Sequence, residues 1–145
     1  MPLLKVGDEA PDFETVDQNE NKIRLSYFKG KKVVLYFYPK DNTPGCTKEA
    51  CNFRDEISLI KKKGAVVLGV SIDGLDSHKR FSEKYSLNFP LLVDNKKEIC
   101  RKYQTLKFGL LSKRITYIID EEGDVEYVFS EVSPATHSKE VLEKL

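Results

Sequence analysis

At 145 residues the chain suits a single domain spanning 1–145, large enough to bury about two-thirds of the surface its unfolded form exposes. Its 24 Lys and Arg against 23 Asp and Glu give no overall electrostatic reason to bind nucleic acid or an acidic membrane, and no segment approaches the apolar length of a membrane span. The N-terminal MPLLKVGDEAPDF lacks the basic-then-apolar order of a secretory signal, so the chain reads as cytoplasmic, where thiols stay reduced and a close pair among three cysteines suggests metal, catalytic or redox chemistry.

Pro11 to Asp17 and Lys22 to Tyr27 alternate weakly around the turn-like QNEN, which predicts an N-terminal hairpin or extended arm. VVLYFY, Val33 to Tyr38, is an uninterrupted run of β-branched and aromatic residues, as expected of a strand covered on both faces, and it ends at Pro39. After the loop PKDNTPG a helical pattern runs from about Pro44 to Lys63. The cations Lys61, Lys62 and Lys63 offset the negative end of its dipole, and Gly64 is a natural C-cap. AVVLGVSID, Ala65 to Asp73, reads as a second buried strand, so strand, helix and strand form a βαβ unit with parallel strands. A helix from about Ser77 to Tyr85, a strand within Phe89 to Asp94 and a short helix near Lys96 to Tyr103 lead into a Gly-containing loop. Ile115 to Asp120 and Val125 to Ser130, joined by EEGD, form a hairpin, and an amphipathic helix spans about Ser138 to Leu145. The order predicts an α/β fold: a mixed central sheet with helices on both faces, the layout of thioredoxin-like folds.

The stretch TPGCTKEAC holds the chemistry. Thr43 suits a helix N-cap whose hydroxyl accepts a backbone N–H, and Pro44 suits the first helical position, where no N–H is needed. Cys46 then falls at the third helical position, beside free backbone donors at the positive end of the helix, a place that favours the charged form of sulfur. Gly45 lets a ligand approach the backbone closely. Cys46, Ala50, Phe53, Ile57 and Ile60 share one apolar stripe, while Thr47, Cys51, Arg54 and Ser58 share a polar one. On ideal helix geometry the Cα atoms of Cys46 and Cys51 lie about 8 to 9 Å apart, beyond disulfide reach. A sulfenic acid on Cys46 would therefore condense with Cys51 only after the first turns of the helix unwind. The same residues also suit a small buried hydrophobe and an incidental surface thiol. A zinc site lacks paired spacing among Cys100, His78 and His137, and Cys100 in KKEICRKY reads as core.

A peroxide substrate would need its O–O bond polarised as a thiolate attacks, and a guanidinium supplies fixed donors for that. Arg114 precedes the buried run ITYIID and should emerge at a sheet end. Arg54, on the polar face with Cys51, is the lower-ranked candidate.

PKDNTPGCTKEAC, with Pro39, Thr43 and Cys46 in the spacing P-x-x-x-T-x-x-C, resembles the bacterioferritin-comigratory, Q-type peroxiredoxins, as does VVLYFY before it. KVGDEAPDF, RITYIIDEEG and THSKEVLEKL are similar to further segments of that family, although Tyr117 stands where many relatives carry Phe. The resemblance implies a thioredoxin-fold thiol peroxidase in which Cys46 is the peroxidatic cysteine and Cys51 the resolving one. Thr43 and Arg114 would orient the peroxide and activate the sulfur, and Pro39 would shield the pocket. It further implies a hydroperoxide substrate, a Cys46–Cys51 disulfide reduced by thioredoxin or a similar dithiol, no metal, flavin or haem, and a monomer or weak dimer. Two other readings remain: a redox-controlled binding protein whose disulfide opens a helix, and a general thiol-disulfide oxidoreductase, which would more naturally carry C-x-x-C.

Overall fold

The computed structural model describes residues 2–145. The N-terminal hairpin pairs β1 (Glu14–Val16) with β2 (Lys22–Arg24), and a 3-10 turn over Leu25–Phe28 replaces the end of the extended run expected to Tyr27. There follow β3 (Lys32–Phe37), α1 (Pro44–Lys62), β4 (Ala65–Ser71), α2 (Leu75–Tyr85), β5 (Leu91–Val93) and α3 (Glu98–Lys102). The Gly-containing loop folds into a small hairpin of β6 (Leu106–Lys107) and β7 (Leu111–Ser112), too short for an alternating pattern to register. The chain closes with β8 (Ile115–Ile119), β9 (Val125–Phe129) and α4 (His137–Lys144).

The central sheet runs β5-β4-β3-β8-β9, with β3, β4 and β5 parallel and β8 and β9 antiparallel additions. β3 is central because both of its faces are apolar: Val33, Leu35 and Phe37 enter one core layer, Val34, Tyr36 and Tyr38 the other, and all six are essentially inaccessible. On the second layer the stripe of α1 packs through Cys46, Ala50, Phe53 and Ile60, with Phe81 of α2 and Val141 of α4 beside it. On the first, Ile99 and Cys100 of α3 pack with Phe13, Ile23 and Leu25 of the N-terminal arm. Three helices thus cover one face; α3 and the arm cover the other.

Tyr36 shows how tightly this layer is filled. Its ring stacks on Phe53 at 4.7 Å and on Tyr38 at 5.4 Å, and its other neighbour is Gly69 of β4, where a Cβ would stand 3.0 Å from ring atoms. Only glycine leaves room for that ring between helix and sheet.

Candidate active site

Two strand ends set the site. β3 finishes at Phe37, and the chain loops through Pro39 to Thr43 into α1, so the helix N-terminus sits above the carboxyl end of the parallel strands, where α/β sheets place ligands. β8 runs antiparallel to β3 with Ile115 opposite Phe37, which puts Arg114, one residue earlier, at that same sheet end. Sequence-distant Arg114 and Cys46 meet for this topological reason.

Cys46 is 1% exposed and points into the core layer beneath α1, as the apolar stripe predicts. Arg114 donates from Nη2 to Cys46 Sγ at 3.4 Å and from Nη1 to Glu49 Oε1 at 2.8 Å. Its guanidinium therefore bridges thiol and carboxylate with two N–H groups of one rigid plane. The sulfur thus has a cation beside it and lies in the first turn of α1, where backbone amides lack helical partners. Gly45 is what lets the arginine in: a Cβ there would stand 3.1 Å from Nη2. The sulfur is nearly covered, and Thr43, Gly45 and Arg114 stay partly exposed along the seam between the loop, α1 and the start of β8. Pro39, half-buried, belongs to the same loop.

Glu49 was not among the residues singled out from the sequence. It is 1% exposed, Oε2 has no hydrogen-bond partner, and burial pushes its carboxyl up to about 7 against the opposing pull of the Arg114 charge. Its signal in the sequence is the interval from Cys46: i, i+3 neighbours on a helix share a face, so an acidic residue three places after a core-facing thiol must itself face inward.

Thr43 occupies the N-cap position, but its side chain does not cap. The hydroxyl donates to Lys40 O at 2.9 Å, and no side-chain cap bond forms, while its carbonyl accepts Thr47 N–H at 2.8 Å. The expected capping bond is thus corrected: the loop bends back so that the hydroxyl proton is spent on Lys40, leaving the oxygen lone pairs free. Cys51 is half-buried on the polar face and unpaired, five residues from Cys46 within an unbroken α1. Arg54, the other cationic candidate, is engaged elsewhere, with Tyr85 O at 2.7 Å and Asp55 at 3.0 Å. Cys100 is fully buried, and its thiol is pushed up to about 12 by burial, then by the nearby Asp94, which leaves it a packing residue. Tyr117 donates its hydroxyl to Tyr103 O at 2.7 Å, a tie that a Phe would lack.

His137 is buried, its ring against Phe53 and Phe129 and its Nε2 2.7 Å from Thr116 Oγ1. Asp41, Asp73 and His78 bring three potential metal-ligating atoms within 4.8 Å of one another. These atoms are committed to other bonds: His78 Nδ1 to Asp41 Oδ2 at 2.6 Å, Asp73 Oδ2 to the Asp41 amide at 2.9 Å.

A thiol at a helix N-terminus on a thioredoxin-like sheet, with a guanidinium held against it by a buried carboxylate, defines a thiol-based redox protein. The chain belongs to the AhpC/TSA family, whose profile matches residues 6–128. Within it the chain resembles proteins named peroxiredoxin. Peroxiredoxin Bcp of Escherichia coli is 40% identical, the alignment covering 98% of this chain and 96% of that one. Chloroplastic peroxiredoxin Q of rice is 44% identical over 96% of this chain, which spans 65% of that longer protein. Among solved structures, the bacterioferritin comigratory protein of Xanthomonas campestris, described for its alkyl peroxide reduction activity, superposes with a TM-score of 0.90 at 33% identity, covering 97% of this chain and 96% of that one.

Proposed function

We propose that the chain is a thiol-dependent peroxidase that reduces hydrogen peroxide and organic hydroperoxides to water and alcohols, with Cys46 as the attacking sulfur. The observation that carries this reading is the Arg114 bridge, Nη2 at 3.4 Å from Cys46 Sγ with Glu49 behind Nη1 at 2.8 Å. A guanidinium so fixed beside the sulfur stands ready to stabilise charge developing on the peroxide oxygens. The alkyl peroxide activity described for the Xanthomonas relative supports including organic hydroperoxides.

In the first step the Cys46 sulfur, as thiolate, attacks the terminal, hydrogen-bearing oxygen of R–O–O–H. An S–O bond forms, the O–O bond breaks, sulfur is oxidised to sulfenic acid, and the leaving RO⁻ takes up a proton. Thr43, its own proton donated to Lys40 O, can accept the peroxide O–H and so align the attacked oxygen. Pro39 closes the loop side of the seam. In the second step the Cys51 thiol condenses with the Cys46 sulfenic acid, releasing water and forming a disulfide, after the start of α1 has unwound. A dithiol of the thioredoxin kind then reduces that disulfide by exchange, in the reducing cytoplasm.

The test is peroxide consumption coupled to a thioredoxin system, comparing wild type, Cys46→Ser and Cys51→Ser. Cys46→Ser should abolish turnover, and Cys51→Ser should oxidise once and stall. Undiminished rates in Cys46→Ser would defeat the assignment.

A further inference from the structure

Asp41 and His78 touch neither Cys46 nor Arg114, yet they centre a buried polar cluster behind the loop that carries Pro39 and Thr43. His78 on α2 is 0% exposed and Asp41 is 6% exposed. The Asp41 carboxylate accepts Tyr38 Oη–H at Oδ1 (2.6 Å) and Ser77 Oγ–H at Oδ2 (2.8 Å), and His78 Nδ1 lies 2.6 Å from Oδ2. The other ring nitrogen, Nε2, lies 2.8 Å from the carbonyl oxygen of Leu92 on β5. A carbonyl can only accept, so Nε2 carries a proton, and the short Nδ1–Oδ2 contact must hold a second one between its partners. The Asp41 amide is tied as well, donating to Asp73 Oδ2 at 2.9 Å. The loop residue midway between Pro39 and Thr43 is thereby bound to α2 and to the connection between β4 and α2, and through His78 to β5. Its successor Asn42 turns left-handed, φ 59°, and is held only by exposed 3.3 Å contacts from Lys84 and Tyr85.

A firmly bound Asp41, a left-handed Asn42 held only at the surface, and a Thr43 tied back by one hydroxyl bond to Lys40 O make the layout of a hinge. We propose that His78, acting through Asp41, is a positioning residue with two consequences: it holds Thr43 and Pro39 in register for the peroxide step, and it is the fixed pivot from which α1 opens for Cys51 to reach Cys46. This rests on the reading above, in which Cys46 is oxidised and Cys51 resolves it. Releasing the pivot affects the two steps in opposite directions. The peroxide step slows, because a misplacement of about 1 Å in an aligning group costs about a hundred-fold. Disulfide formation quickens, because less structure opposes the opening.

Two isosteric variants separate the contacts. In His78→Asn the amide N–H falls near the place of Nδ1 and keeps the Asp41 bond; in His78→Gln it falls near the place of Nε2, keeping Leu92 and giving up Asp41. Rapid-mixing measurements on the full chain, with hydrogen peroxide as oxidant, resolve sulfenic acid formation from disulfide formation. His78→Gln should slow the first about ten-fold or more and speed the second several-fold, with His78→Asn within about two-fold of wild type in both. The proposal is overturned if His78→Gln matches wild type, changes only one step or slows both, or if His78→Asn is as impaired as His78→Gln. Should His78→Gln not fold, amide exchange on the wild type decides: on oxidation to the disulfide, Thr47 to Cys51, the first amides with helical partners, should lose protection while Asp41 keeps it, and loss at Asp41 refutes the pivot. Failure of wild type itself to form a Cys46–Cys51 disulfide with peroxide would instead overturn the underlying peroxidase reading, whatever the variants do.

Discussion

Replacing Glu49 with Gln should make the protein more stable and a worse peroxidase. Glu49 is buried, with one oxygen bound to Arg114 and the other unpartnered, and burial raises its carboxyl from 4.5 to about 7. A carboxyl raised in the folded state contributes stability that is fully present below about 4.5 and is lost as pH rises through about 7. The difference of about 2.5 in pKa, at about 1.4 kcal/mol for each, is a loss of about 3 kcal/mol across that window. Gln has the shape of the protonated acid and does not titrate. Urea denaturation of the reduced proteins should therefore give equal stabilities near pH 4, with the variant pulling ahead to about 3 kcal/mol above pH 7. The peroxide step should move the other way at neutral and higher pH, slowing by about ten-fold or more, because a neutral amide holds the guanidinium less firmly against the sulfur. Parallel stability curves from pH 4 to 8 would show that the carboxyl carries no desolvation penalty, and an unimpaired peroxide step would show that Arg114 needs no carboxylate behind it.

Arg114→Lys replaces a planar two-donor bridge with a point charge that cannot hold Glu49 and Cys46 together; the second-order rate with hydrogen peroxide should fall about a hundred-fold, and a loss under three-fold would refute the bridge. Gly45→Ala puts a methyl 3.1 Å from Arg114 Nη2. The flexible guanidinium should yield, so denaturation should show stability unchanged or raised by up to about 1 kcal/mol from helix propensity, while the peroxide step slows several-fold; equal rates would mean that the seam has slack. Gly69→Ala meets the Tyr36 ring at 3.0 Å, and that ring is stacked on Phe53 and cannot move aside. It should cost about 1 to 3 kcal/mol by denaturation, and a neutral effect would show the layer to be loosely packed.

The strands that are buried on both faces were the clearest in the sequence, because VVLYFY, AVVLGV and ITYII are apolar without interruption, and their order along the chain constrains the sheet. The start of α1 was legible from Pro44 and the face of Cys46 from the spacing of Ala50, Phe53 and Ile60. What escaped were features made by tertiary contact. The Thr43 hydroxyl looked like a cap because local chemistry allows one, but the loop turns it to Lys40. The spacing of Glu49 from Cys46 turns it inward, but the partner that makes its burial tolerable arrives from beside β8 and is invisible in the local sequence. His78 was weighed as a metal ligand because residue type suggests ligation, whereas its role is set by Asp41, 37 positions earlier.

In the catalytic cycle proposed above, one helix end has to serve two opposed demands, and these contacts suit both. Cys46 needs an ordered first turn, since aligned amides and a fixed guanidinium act on the sulfur only while that turn exists. Cys51 needs the same turn to be breakable. A side-chain cap and a strong helix former at the second position would satisfy the first demand at the expense of the second, and α1 has neither: Thr43 forms no cap bond, and Pro44 is followed by Gly45. Order comes instead from Arg114, which grips Sγ itself. In the proposed cycle oxidation adds an oxygen to that sulfur, which displaces it from the Arg114 N–H, so the contact would weaken at the moment when opening is required. Downstream, Asn52 donates to the carbonyls of Pro134 and Ala135 just past Cys51, which clamps the rest of the helix to the segment before α4. The opening proposed above would thereby be confined to the turns between Asp41 and Asn52, the stretch that holds both sulfurs.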